Sequence, residues 1–240
     1  MKQLASGVLV ICDGSLPSLA ALWSEARSES RVRASGDAGG SVIAWGIGPA
    51  NASEAWHELV RRQAQACGVS MVEFAPTDAG FSADAAGPTG SGARVKHTTN
   101  GFDVSRMLLS AGEAALDHHV GRVVWPVALG MVEGAQGAEE AEMVINAISG
   151  AADRALLCSR LLALESDDRA RREGGQEFEF GGRFMIQTPY LDLGENQLVE
   201  LALDMDVPLS LVDSQACARN ARWLQVIERV GAATLIRPAA

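Results

Sequence analysis

The chain has 240 residues, 48% of them hydrophobic, which is enough to bury the core of one large α/β domain or of two small ones. Thirty acidic residues against 20 Lys and Arg leave a net charge of −10, which argues against non-specific binding to nucleic acid or to an anionic membrane. The first apolar run, residues 8–12, is far too short for a signal or spanning helix, and the four scattered cysteines (Cys12, Cys67, Cys158, Cys217) show no paired spacing; we therefore expect a cytoplasmic protein whose first three thiols are core residues.

In chain order, residues 7–12 read as a buried strand. It ends in a small polar turn, Asp13, Gly14 and Ser15, and an apolar-periodic helix runs on to about residue 26. A strand feeding a helix N-terminus through such a turn makes an anion site. The Ser-, Gly- and Arg-rich stretch 28–40 is expected as a loop. Residues 41–45 form the second strand, and 53–67 a helix capped by Ser53 and stopped by Gly68. Residues 69–74 are the third strand, followed by a Gly-, Ala-, Thr- and Pro-rich loop over 77–100. A helix over 102–119, stopped by Gly121, leads to a fourth strand at 122–127.

The next helix, 138–164, is expected to break near Gly150, with Glu139, Glu140 and Glu142 as a solvated first turn. A charged, then glycine-rich, loop covers 165–182. Strands at 183–187 and 208–212 and helices at 195–205 and 216–230 complete the pattern, with Trp223, Leu224 and Ile227 on the buried side of the last helix. Apolar strands alternating with helices predict an α/β fold, a three-layer α/β/α arrangement on a mainly parallel, Rossmann-like sheet. Ligands in such sheets sit at the carboxyl ends of the strands. The neighbours His118 and His119 do not share a helix face, so they read as helix C-terminal cations and not as a metal pair. No nucleophile elbow supports a Ser–His–Asp hydrolase.

The turn Asp13-Gly14-Ser15-Leu16-Pro17-Ser18 resembles the S-G-G-x-D-S phosphate loop of the ATP pyrophosphatases. A second block supports it: the strand at 184–187, Thr188-Pro189, an amphipathic helix and Val207-Pro208-Leu209 are similar to one branch of that family, the 7-cyano-7-deazaguanine synthases. Trp45-Gly46, His57-Glu58-Leu59, Cys67-Gly68-Val69 and Ser105-Arg106 match further elements of that branch in order. The resemblance implies an adenine-nucleotide α-hydrolase fold over residues 1–213 and a C-terminal helical segment over 214–240. It implies an ATP-dependent ligase that activates a deazaguanine carboxylate as an acyl adenylate and converts it with ammonia to amide and nitrile in queuosine precursor synthesis. Asp13, Gly14, Ser15, Leu16 and Ser18 would then hold phosphate, with Arg106 and Thr188 lining the pocket for a nucleotide or deazapurine-like ligand.

The chain departs from that family at defined positions. Asp13 replaces the first serine, Pro17 the loop acid and Glu195 a lysine. The C-x-x-C-x-x-C zinc cluster of the family is reduced to Ser214, Cys217 and Asn220. One thiolate cannot hold structural zinc, so zinc is expected to be absent. Two acids beside the phosphates weaken ATP, with magnesium on Asp13 as the one rescue; exchanging Asp13 for Ser and Glu195 for Lys is expected to restore it. No catalytic residue is assigned. The alternative to a ligase is a non-catalytic module on the same fold, binding a nucleotide-like ligand or a protein, and compatible with a homodimer.

Overall fold

The computed structural model describes residues 7–35, 40–48, 52–76, 101–130, 137–172 and 184–236. Among these residues five strands form one sheet: β1 (Val8–Cys12), β2 (Val42–Gly46), β3 (Met71–Phe74), β4 (Arg122–Val124) and β5 (Met185–Gln187). All neighbours pair in parallel, in the order β3-β2-β1-β4-β5, with Val10 beside Ala44 and Val124. Among the described residues six helices accompany them: α1 (Leu16–Ala34), α2 (Glu54–Ala66), α3 (Gly101–Asp117), α4 (Ala138–Arg172), α5 (Glu195–Asp204) and α6 (Asn220–Ile236). This is the three-layer Rossmann-like architecture expected from the alternation of strands and helices.

The pleat of β1 explains the layers. Val8, Val10 and Cys12 point into a core shared with α1, α2, α5 and α6, whereas Leu9 and Ile11 point into a second core shared with α3 and α4. A strand buried on both faces must be apolar throughout, and every β1 residue is buried. Strand order reverses between β1 and β4, so the crevice at their carboxyl ends lies between the turn 13–15 and the segment 125–130. That segment is drawn onto the loop after β5: the N–H groups of Leu129 and Gly130 donate to the carbonyls of Leu191 and Leu193 at 3.1 and 3.0 Å. A Cβ on Gly130 would fall 2.3 Å from the Leu193 carbonyl carbon, so only glycine permits this approach.

Several expectations are corrected. Residues 28–34 of the stretch 28–40 are not a loop: α1 continues to Ala34, because its Arg, Glu and Ala residues are good helix formers and the serines among them do not interrupt it, while residues 36–39 lie outside the described residues. Nor does α4 break at Gly150 or end at 164; it runs 35 residues, so the charged stretch 165–172 is its last turns. Gly150 costs about 1 kcal/mol against Ala, offset by Ala151, Ala155, Cys158 and Leu162 packing in the second core. Ion pairs from Arg169 to Glu165 at 3.3 Å and to Asp117 at 2.7 Å secure the end.

Residues 208–212 form no strand. Pro208 has no N–H for a ladder, and Leu209–Leu211 is a 3-10 turn instead. His119, with φ 56°, and not Gly121, takes the left-handed position that ends α3. In α6 it is Val226 and Val230 that are buried; Trp223 and Ile227 are half-buried and Leu224 is exposed. Cys217 is buried along with Cys12 and Cys158, while Cys67 is half-buried. The expected loop 77–100 lies outside the described residues.

Candidate functional site

The turn after β1 is built by a carboxylate. Asp13 Oδ1 accepts from the backbone N–H of Ser15 at 2.9 Å and from the Ser15 hydroxyl. Gly14 adopts φ +82°, which carries the chain from the strand into the helix without the strain any L side chain would add. Pro17 stands in the first turn of α1, where an N–H has no helical partner in any case. Ser18, itself buried, donates to the Ser15 carbonyl at 2.9 Å. The Ser15 N–H, one of the donors at the helix start that could meet an anion, thus already meets one, the chain's own.

Further polar groups of the turn are taken by α2 and by the segment leading into α6. Trp56 Nε1 donates to the Asp13 carbonyl at 2.9 Å, and its ring lies over Gly14 and Gly48. The Gly14 carbonyl accepts from Gln63 Nε2 at 3.1 Å and from Asn220 Nδ2 at 3.0 Å. Those two amides also tie the turn to the Leu211 and Asp213 carbonyls, each at 3.1 Å. Asp13 Oδ2 pairs with Arg219 Nη1 at 3.0 Å. The Cys217 thiol faces the Asp13 carbonyl at 3.8 Å. Burial pushes this thiol up to about 11, and the Asp13 charge adds to the shift.

A second acid is matched in the same way. Glu195, the first residue of α5, pairs with Arg222, whose Nη2 lies 2.9 Å from Oε2. The Gln197 side chain accepts the Gly194 N–H at 2.8 Å and completes that helix start. Arg219, the residue just before α6, and Arg222, in its first turn, are three residues apart, so one short segment neutralises both carboxylates.

Asp13, Gly14 and Ser15 form the turn, and Leu16 and Ser18 lie buried in the first turn of α1. Thr188 is half-buried directly after β5. Arg106 is exposed on α3, a helix of the second core, whereas Arg219 approaches Asp13 from the first-core side. The sequence matches no protein-family model and no curated protein.

The donor sets follow from these contacts. For zinc, Cys217 is one thiol turned to a carbonyl and Asn220 is spent on two carbonyls, so the Ser214–Cys217–Asn220 trio does not make a zinc site. For magnesium, Asp13 already carries a guanidinium at 3.0 Å, and the two cations compete for one carboxylate. Among the described residues no group of three or more His, Cys, Asp or Glu could hold a metal ion, and no helix is long and apolar enough to cross a membrane.

Sequence reasoning missed Trp56, Gln63, Arg219 and Arg222. A signal for the arginines was present: two unexpected acids, Asp13 and Glu195, call for two cations, and both lie beside the altered cysteine cluster. Histidine 118 is a helix-end group as expected, with Nε2 2.7 Å from Glu73 Oε1 on β3.

Proposed function

We propose that this chain is a non-catalytic relative of the 7-cyano-7-deazaguanine synthases, a binding module in which the phosphate loop has become an internal anchor for the C-terminal segment. The observation that carries the reading is the Asp13 carboxylate seated on Ser15 and paired with Arg219. A nucleotide phosphate entering this turn would have to displace a carboxylate from its N–H donor and leave that carboxylate beside its own charge. Like charges 4 Å apart repel by about 4 kcal/mol at an effective dielectric of 20. Acyl adenylate formation needs the opposite, a cationic and donor-rich cradle around the transferring phosphates.

The reading keeps the scaffold and gives up the ATP chemistry. Calorimetric titration with ATP and magnesium tests it, on the wild type and on Asp13→Ser. The wild type is expected to show no binding in the micromolar range. Asp13→Ser frees the Ser15 N–H and the Arg219 guanidinium together, so binding should appear or strengthen. Micromolar wild-type binding, or turnover of 7-carboxy-7-deazaguanine with ATP and ammonia, would overturn the reading.

A further inference from the structure

Helix α4 presents two faces of different origin. Ala151, Ala155, Cys158 and Leu162 are buried against α3 and β5. On the opposite side Leu157, Leu161 and Leu164 are 57, 55 and 63% exposed. Their spacing of four and three residues makes a straight apolar seam of the kind that packs helix against helix. An arginine and an aspartate bracket the seam at the same stride: Arg154 three residues before Leu157, and Asp168 four residues after Leu164. Asp168 has an exposed contact to Arg171 at 3.5 Å.

This pattern is its own complement. When a second α4 lies antiparallel across a two-fold axis at Leu161, residue i faces residue 322 − i. Leu161 then meets Leu161 of the copy, and Leu157 lies one residue from level with Leu164. Arg154 meets Asp168 at both ends. A parallel copy would set Arg154 on Arg154 and Asp168 on Asp168. The helix macrodipoles also favour the antiparallel pair. The isologous contact required of a two-fold dimer is therefore written into one helix.

We propose that the protein is a homodimer joined through the Leu157–Leu161–Leu164 face of α4, in an antiparallel helix pair closed at each end by Arg154 with Asp168 of the copy. The inference is independent of whether ATP is bound.

Sedimentation velocity on the full chain tests it, since the monomer mass is 25.2 kDa. A species of twice that mass is expected at protein concentrations of about 10–50 μM. Leu161→Glu places two like charges on the axis and should return the protein to monomer, with an unchanged circular dichroism spectrum because Leu161 is exposed. Arg154→Asp and Asp168→Arg should each weaken the dimer, and the two together should restore it. Leu161→Cys should give an intermolecular disulfide under mild oxidation. A monomeric wild type overturns the proposal. So does a dimer indifferent to Leu161→Glu, or a charge-swapped double variant that fails to recover. A monomer that captures a different protein through the same leucines would assign the face to another partner and equally overturn it.

Discussion

Arg219 Nη1 stands 3.0 Å from Asp13 Oδ2, joining residues 206 positions apart. Both side chains are largely buried. Breaking such a pair from one side leaves the other charge short of its counter-ion. Arg219→Ala is therefore expected to cost about 3 kcal/mol of unfolding free energy. Asp13→Asn should cost less, because its amide oxygen still accepts from Ser15. The double variant should fall short of the sum, and chemical denaturation of the four proteins reads that coupling. Strict additivity would mean that the two groups do not act as a pair.

Asn220 is fully buried and bridges the Gly14 and Asp213 carbonyls through one amide. Asn220→Ala removes one donor from each carbonyl, leaving Gln63 on Gly14 and the Cys217 N–H on Asp213, and should lower stability by about 1–2 kcal/mol. Asn220→Asp should be worse, because it presents a carboxylate to two carbonyl oxygens. Urea melts followed by tryptophan fluorescence, with Trp56 on the same turn, distinguish the three proteins.

Glu195→Lys alone, without Asp13→Ser, is not expected to create a phosphate site. The new ammonium would meet Arg222, which now pairs with Glu195. We expect a loss of about 1–2 kcal/mol in stability and no gain in ATP binding from this change alone. Glu195→Lys with Arg222→Glu should recover most of the stability. Thermal melts and ATP titration of the single and paired variants check both halves.

The thiols should be inert in the native protein. Burial pushes Cys217 up to about 11 and Cys67 up to about 12, and raises Cys12 and Cys158 as well. At pH 8 about one Cys217 in a thousand is thiolate, three units below its midpoint. A thiol-specific chromogenic disulfide should find almost no reactive group in the folded chain and all four after denaturation. Fast labelling of Cys217 would show that the segment leading into α6 opens readily from the turn.

Asp213 provides an acid-side signature. The N–H groups of Gln215 and Ala216, with Arg62 beside them, hold its carboxyl below the usual carboxylate range. A depressed folded value means that its stabilisation is fully present above the unfolded value near 4 and is lost as the pH falls through the folded one. Asp213→Asn should therefore lower the melting temperature at pH 6 to 7 and make little difference near pH 2. Equal shifts at both pH values would remove ionisation as the cause.

Much of the architecture could be read from residue order. The run from Val8 to Cys12 is apolar on both sides of the pleat, which only a sheet covered on both faces requires, and the turn at Gly14 followed by Leu16 and Leu19 marks where the chain leaves that sheet. Local reading failed where neighbours in space decided the outcome. The serines of α1 and Gly150 of α4 look like breaks in a local window, yet the strong helix formers around the serines carry α1 on, and packing of one face in the second core carries α4 through. Pro208 lies in an apolar run that looks like a strand, but without an N–H it cannot extend the ladder.

The site shows the same division. That a polar turn sits at the carboxyl end of β1, with an acid at Asp13 and another at Glu195, was determined by the sequence by itself. Whether those acids oppose a ligand or serve the protein depended on what stands opposite them. Arg219 and Arg222 lie more than 200 and 27 positions away, respectively, and no spacing rule links residues that distant. The packing of α6 on α5 brings Arg222 to Glu195, the start of α6 brings Arg219 to Asp13 and Asn220 to the Gly14 carbonyl, and α2 brings Gln63 to the same carbonyl. Charge is visible in a sequence, but its neutralisation is a property of distance, and distance belongs to the tertiary structure.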